Sequence, residues 1–206
     1  MTSRFPRRAH VLPVLLVAAA VTLTGCGPSP WDTDPVTATP TATAVEAPAP
    51  VPNDLSTGST ERALQAGAVA ATVNYWSELR MDRWTATAIK PVSLSMITTV
   101  TPADGQKVYL QKATMLAVPG NDAETFEALA PQVDESGLSG TPGYLVLEPY
   151  SYSQTFNVGQ VPAEATFVTL QFTFDYLVQT TPTSNEFAKQ TATDQLTVAI
   201  AQPSAD

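Results

Sequence analysis

Any chemistry this chain performs has to come from carboxylates, amides and aromatic rings. Its one histidine is His10 and its one cysteine is Cys26. The sequence beyond residue 26 therefore cannot build a Ser-His-Asp triad, a Cys-His pair or a histidine-ligated zinc site. It also contains no P-loop, no GxGxxG turn, no S-x-x-K dyad and no D-x-[DN]-x-[DN]-G calcium loop. Two carboxylates facing each other across a cleft can still hydrolyse glycans without histidine, so each acidic group matters. Asp122, Glu124 and Glu127 fall where a helix is expected to begin, and acids there complement the helix dipole. Asp134 and Glu135 read as solvated loop residues, and Asp175 as an exposed side chain on a strand. Glu148 stands among Tyr144, Tyr150 and Tyr152. An acid among aromatics is the pattern of a sugar-stacking surface, and equally of a polar strand face with cross-strand aromatic pairs. Glu148, Tyr150 and Tyr152 are accordingly candidate ligand or partner contacts. No catalytic residue, metal site or cofactor is assigned.

These residues must be positioned by a folded segment of ordinary single-domain size, residues 59–203. Ser59 or Thr60 can cap a helix running to about Trp84, with Leu64, Ala68, Ala71, Tyr75 and Leu79 on one face and Val69, Val73 and Trp76 widening it. Trp76 and Trp84, eight apart, fall on or beside that face. Trp84, at the helix end, is the fourth candidate contact. Val92, Leu94 and Met96 alternate with serines, and a turn at Pro102-Ala103-Asp104-Gly105 joins them to a second strand through Val108, Leu110, Leu116 and Val118. Asn121, with Glu124 three residues on, has the form of a capping box opening a short helix that ends by Pro131. Tyr144 to Val158 reads as a strand with Pro149 marking a bulge or edge. Thr166 to Thr180 alternates cleanly, with Val168, Leu170, Phe172, Phe174, Tyr176 and Val178 on the face to be buried. Leu196, Val198 and Ile200 finish the chain as a last strand.

The expected fold class is α+β: a long N-terminal helix on a curved antiparallel sheet of about five strands, with one short extra helix. That element order resembles the cone-shaped NTF2-like architecture, which implies a ligand cavity lined by residues such as Tyr75, Phe172 and Phe174. The alternative is an immunoglobulin-like β-sandwich carrying the helix as an N-terminal addition.

The first 25 residues carry Arg4, Arg7 and Arg8, an apolar run from Val11 to Val21 too short to span a bilayer, and then Leu23-Thr24-Gly25-Cys26. This ending resembles the lipobox of bacterial lipoproteins. The resemblance implies cleavage before Cys26, lipidation of Cys26, and anchoring to the extracytoplasmic face of the cell membrane through acyl chains. Residues 27–58 are rich in Pro, Thr and Ala and read as a disordered tether, a type of segment that can also carry O-glycans. With a single cysteine, a domain exported in this way would depend on its core rather than on disulfides. Net charge is −9 and falls to about −12 once the three arginines are removed, which argues against nucleic acid as a partner. The expected function is a non-catalytic binding or accessory module at the cell envelope, with an envelope protein, a cell-wall polymer or a small ligand as partner. The alternative is a carboxylate-dependent enzyme acting on cell-wall glycans.

Overall fold

A computed structural model describes residues 51–135 and 140–203. The signal segment, Cys26 and most of the expected tether lie outside the described residues. Among these residues, nine strands form two antiparallel sheets, and the only helical element is a single 3-10 turn, Met81–Arg83. The first sheet holds β1 (Ser59–Ala66), β2 (Val69–Trp76), β3 (Lys90–Val100) and β7 (Tyr152–Val158), in the order β1-β2-β3-β7. The second holds β4 (Val108–Gly120), β5 (Gln132–Glu135), β8 (Phe167–Gln179) and β9 (Phe187–Ala199), in the order β5-β4-β8-β9, with the two-residue β6 (Tyr144–Leu145) also pairing with β4.

The expected helix over residues 59–84 is a β-hairpin. Ala66 pairs with Val69, leaving Gly67-Ala68 as a two-residue loop whose first position needs φ +56°, a conformation glycine adopts without strain. Beyond it Val69, Ala71, Val73 and Tyr75 are buried and alternate with Ala70, Thr72, Asn74 and Trp76. Val and Thr at these positions favour a pleated surface. The helical pattern arose because alanines fit either period, while the glycine at the centre was decisive. The turn is docked by Gln190 of β9, whose Oε1 accepts from Ala68 N–H at 3.1 Å.

The second expected helix is also absent. Asn121 Oδ1 accepts from the N–H groups of Ala123 and Glu124, each at 2.9 Å. The cap forms, but the chain then runs back along β4: Phe126 N–H bonds to Pro119 O and Leu129 N–H to Ala117 O. The turn near residues 102–105 does not close a hairpin either, because β3 and β4 belong to different sheets. The stretch 144–158 splits at Pro149 into β6 and β7, again in different sheets. The α+β class and the NTF2-like cone are thus replaced by two sheets, and the immunoglobulin-like alternative fails at its N-terminal helix.

The sheets share one core. Tyr75 of the first sheet packs on Phe172 of the second, ring centroids 5.0 Å apart, and Phe156 of β7 reaches the same ring at 6.1 Å. Phe172 stacks along β8 with Phe174. Tyr75, Phe172 and Phe174 are fully buried side chains filling this interior, and of the three only Phe172 also lines a depression, of about 520 Å³, with Thr193 and Asp194. Full burial of each such side chain contributes about 1.5–3 kcal/mol, which fits a domain stabilised by packing alone.

Two seams run between the sheets. At one, β1 lies near β9, and the incoming chain is tied there: Asp54 N–H donates to Thr197 O at 2.8 Å, Asp54 Oδ2 accepts from Thr197 N–H at 2.7 Å, and Arg62 pairs with Asp54 Oδ1 at 2.8 Å. Residues 53–58, expected at the tether's end, are therefore part of the domain, and Leu55 is fully buried. The other seam lies between β7 and the β5 and β6 strands.

Candidate functional site

The β7 seam is closed by side chains rather than by ladder bonds between strands. Gln132 on β5 engages both the N–H and the carbonyl of Asn157 on β7. Two residues along, Asp134 Oδ2 accepts from the Tyr152 hydroxyl at 2.7 Å. The Tyr144 hydroxyl reaches Asp134 Oδ1 at 3.4 Å, and the two tyrosine rings lie 5.3 Å apart at 40°. Burial and the Asp134 carboxylate together raise the pKa of Tyr152 and, in the same direction, that of Tyr144. Both phenols are neutral donors at physiological pH, not bases.

Above this triad opens a cleft of about 530 Å³, lined by Tyr109, Asp134, Tyr144, Tyr152, Ser153 and Gln154 among others. Its floor is set by β6. Gly143 sits so close to β4 that a Cβ there would lie 2.4 Å from Leu110 O. The approach falls where β4 bulges between Leu110 and Lys112. The β6 segment continues across to the first sheet, where Thr98 N–H and its hydroxyl both donate to Val146 O at 3.0 Å.

The four candidate contacts separate. Tyr152 forms the cleft's buried base. Tyr150 is 56% exposed in the turn before β7 and does not line the cleft. Glu148 lines a separate depression of about 290 Å³ with Leu147 and Gln106. Trp84 is fully buried, its indole N–H donating to Leu79 O at 3.2 Å and Ser77 Oγ at 3.3 Å. Being fully buried, it presents nothing to a ligand. Asp175, expected to be exposed, is 5% exposed, holding Lys189 at 3.1 Å, Lys112 at 3.4 Å and Thr191 Oγ1 at 2.7 Å. Burial pushes its carboxyl up, but the Thr191 and Lys189 hydrogen bonds and the two lysine charges outweigh this and hold it below the usual value.

Sequence reasoning missed Asp134, Gln154 and Trp76. The first looks like a loop residue in the sequence, although Gln132 and Asp134 share one side of a short strand. Trp76 falls with the core in a helical reading, whereas the two-residue period of β2 places it opposite Tyr75. Among the described residues no cluster of acids or other ligating side chains is arranged to hold a metal ion. No family model matches the chain, and neither a curated protein nor a solved structure matches it.

Proposed function

We propose that this chain is an extracytoplasmic lipoprotein, held in the cell membrane by lipid on Cys26, whose β domain binds an envelope component without transforming it. One observation carries the reading: the tyrosine-lined cleft lies at the seam opposite the one where the chain enters the domain. The β1 and β7 strands are three inter-strand steps apart, about 14 Å, so a surface anchored through residues 51–55 leaves the cleft unobstructed. The cleft combines aromatic rings, hydroxyls and an amide, the mixture of a recognition surface. Asp134 is its only acidic lining residue among the described residues, and two phenols already occupy it. A two-carboxylate hydrolase would need a second acid there.

Cell fractionation and co-sedimentation test both halves. Cys26→Ala is expected to move the protein from the membrane fraction to the soluble one. Insoluble cell-wall material is expected to retain the wild-type chain, and Tyr144→Ala to weaken that retention by about tenfold, the equivalent of one lost aromatic contact. Equal retention of both forms would dismiss the cleft as the binding surface, and a Cys26→Ala protein that stays membrane-bound would dismiss the anchor.

A further inference from the structure

A further, smaller depression of about 210 Å³ lies on the outer face of the first sheet, lined by Trp76, Ser93, Leu94, Ser153, Gln154 and Thr155. It shares Ser153 and Gln154 with the tyrosine cleft. These neighbours point to opposite sides of β7, the edge strand of its sheet. The two depressions therefore lie on either side of that edge and meet across it. Resting on the binding reading above, we infer that they form one continuous site for a neutral, linear glycan chain that crosses β7, with Trp76 at one end and Tyr144 at the other.

Three observations select this class of ligand. The first is the aromatic platforms. Trp76 is partly exposed and its indole N–H is fixed by Glu78 Oε1 at 3.0 Å, so the ring is held in place for stacking. Tyr144 is held at the other end by its contacts with Tyr152 and Asp134. The second is what lies between them. Ser93 Oγ and Thr155 Oγ1 bond to each other at 2.8 Å across β3 and β7, and the Gln154 amide is oriented by its Oε1 accepting from Thr155 N–H at 2.8 Å. Hydroxyls and amides match a polyhydroxyl ligand. The third is charge. No lysine or arginine lines either depression. The carboxylates at the two ends, Glu78 and Asp134, are engaged by an indole N–H and by phenols. A phosphate-rich polymer would find no counter-charge here, and a basic peptide would find no unengaged acid. Trp76 on β2 lies two inter-strand steps from β7, about 10 Å, and the tyrosine cleft lies beyond. Only an oligomer reaches both ends.

Titration calorimetry of the full chain tests this, in a detergent whose headgroup is not a sugar, with unbranched glucose and N-acetylglucosamine oligomers from dimer to hexamer as probes. Affinity is expected to rise with oligomer length. Trp76→Ala and Tyr144→Ala should each weaken the hexamer by about tenfold, while the dimer, which fills one depression, responds to only one of them. Ser153→Glu, at the junction that lines both depressions, should abolish the length dependence. Length-independent affinity, or hexamer binding indifferent to Trp76→Ala and Ser153→Glu, would overturn the continuous site. If no oligomer binds while Tyr144-dependent retention on wall material persists, the neutral-glycan inference fails and the binding module stands. If both are lost, both readings fail.

Discussion

Lys90 shows how a single residue can organise a domain without touching the site. Its side chain is fully buried at the start of β3, and its ammonium donates to the carbonyls of Ala88, Gly159 and Thr85 at 2.6, 2.8 and 3.2 Å. Burial pushes its pKa down to about 8, and the three carbonyls supply hydrogen bonds that a buried cation otherwise lacks. Replacing it by Met strands those acceptors, and Lys90→Met is expected to lower the unfolding free energy by about 1–3 kcal/mol in chemical denaturation. The same variant should lose a pH effect. The folded-state pKa lies below the unfolded value, so between about 8 and 10.5 the native state has released a proton that the unfolded chain keeps, and stability rises with pH. A wild-type midpoint that does not rise over this range, or a Lys90→Met variant that rises equally, would contradict the assignment. None of this was legible in the sequence, because Ile89-Lys90-Pro91 looks like a polar interruption before a strand. The site residues were legible in part. The tyrosines stood out by type, but Asp134 acquires its role only through strand pairing with β4, which the sequence does not display.

At the scale of elements, β3, β4, β7, β8 and the end of β9 could be read as strands, and β1, β2 and β5 could not. β8 was readable because Val168, Leu170, Phe172, Phe174, Tyr176 and Val178 recur at every second position and are buried. β1 and β2 were not, since Ala-rich segments satisfy helical and strand periods alike and the loop between them is only Gly67-Ala68. Pairing across sheets was the least legible property: short loops usually join neighbours, whereas here β3 hands over to β4 in the other sheet. The element that matters most for the site is β6, two residues long and held by backbone contact at Gly143. A methyl group there meets Leu110 O and C directly, with no flexible side chain to yield. Gly143→Ala should therefore displace β6, cost about 1–3 kcal/mol, and weaken binding at the Tyr144 cleft. Ligand affinity unchanged from wild type, together with an unchanged unfolding midpoint, would show that β6 does not set the cleft's floor.

The β domain belongs to an acidic chain, net charge −9, and its core includes phenols. Of its six tyrosines, Tyr75, Tyr152 and Tyr176 are buried, and burial raises the pKa of all three well above the ordinary value near 10. Nearby carboxylates add to this, Asp194 at Tyr75 and Asp134 at Tyr152. In the unfolded chain these phenols ionise near pH 10. Above that pH the unfolded state gives up protons that the native state retains, so stability falls as pH rises, and self-repulsion of a net negative chain acts in the same direction. Lys90 works the opposite way below about 10.5. The thermal midpoint should therefore climb from pH 8 toward 10 and then drop. Following tyrosinate absorbance and sheet circular dichroism together checks the origin of the drop, with ionisation of these three phenols expected only as the sheet signal disappears. Tyr176→Phe should make the alkaline fall shallower, since one fewer proton separates the two states. If instead Tyr152 ionises while both sheets persist, water reaches it through the β7 seam. The Gln132–Asn157 and Asp134–Tyr152 contacts would then not be holding that seam closed, and the cleft above them would lose the rigid base on which its recognition depends.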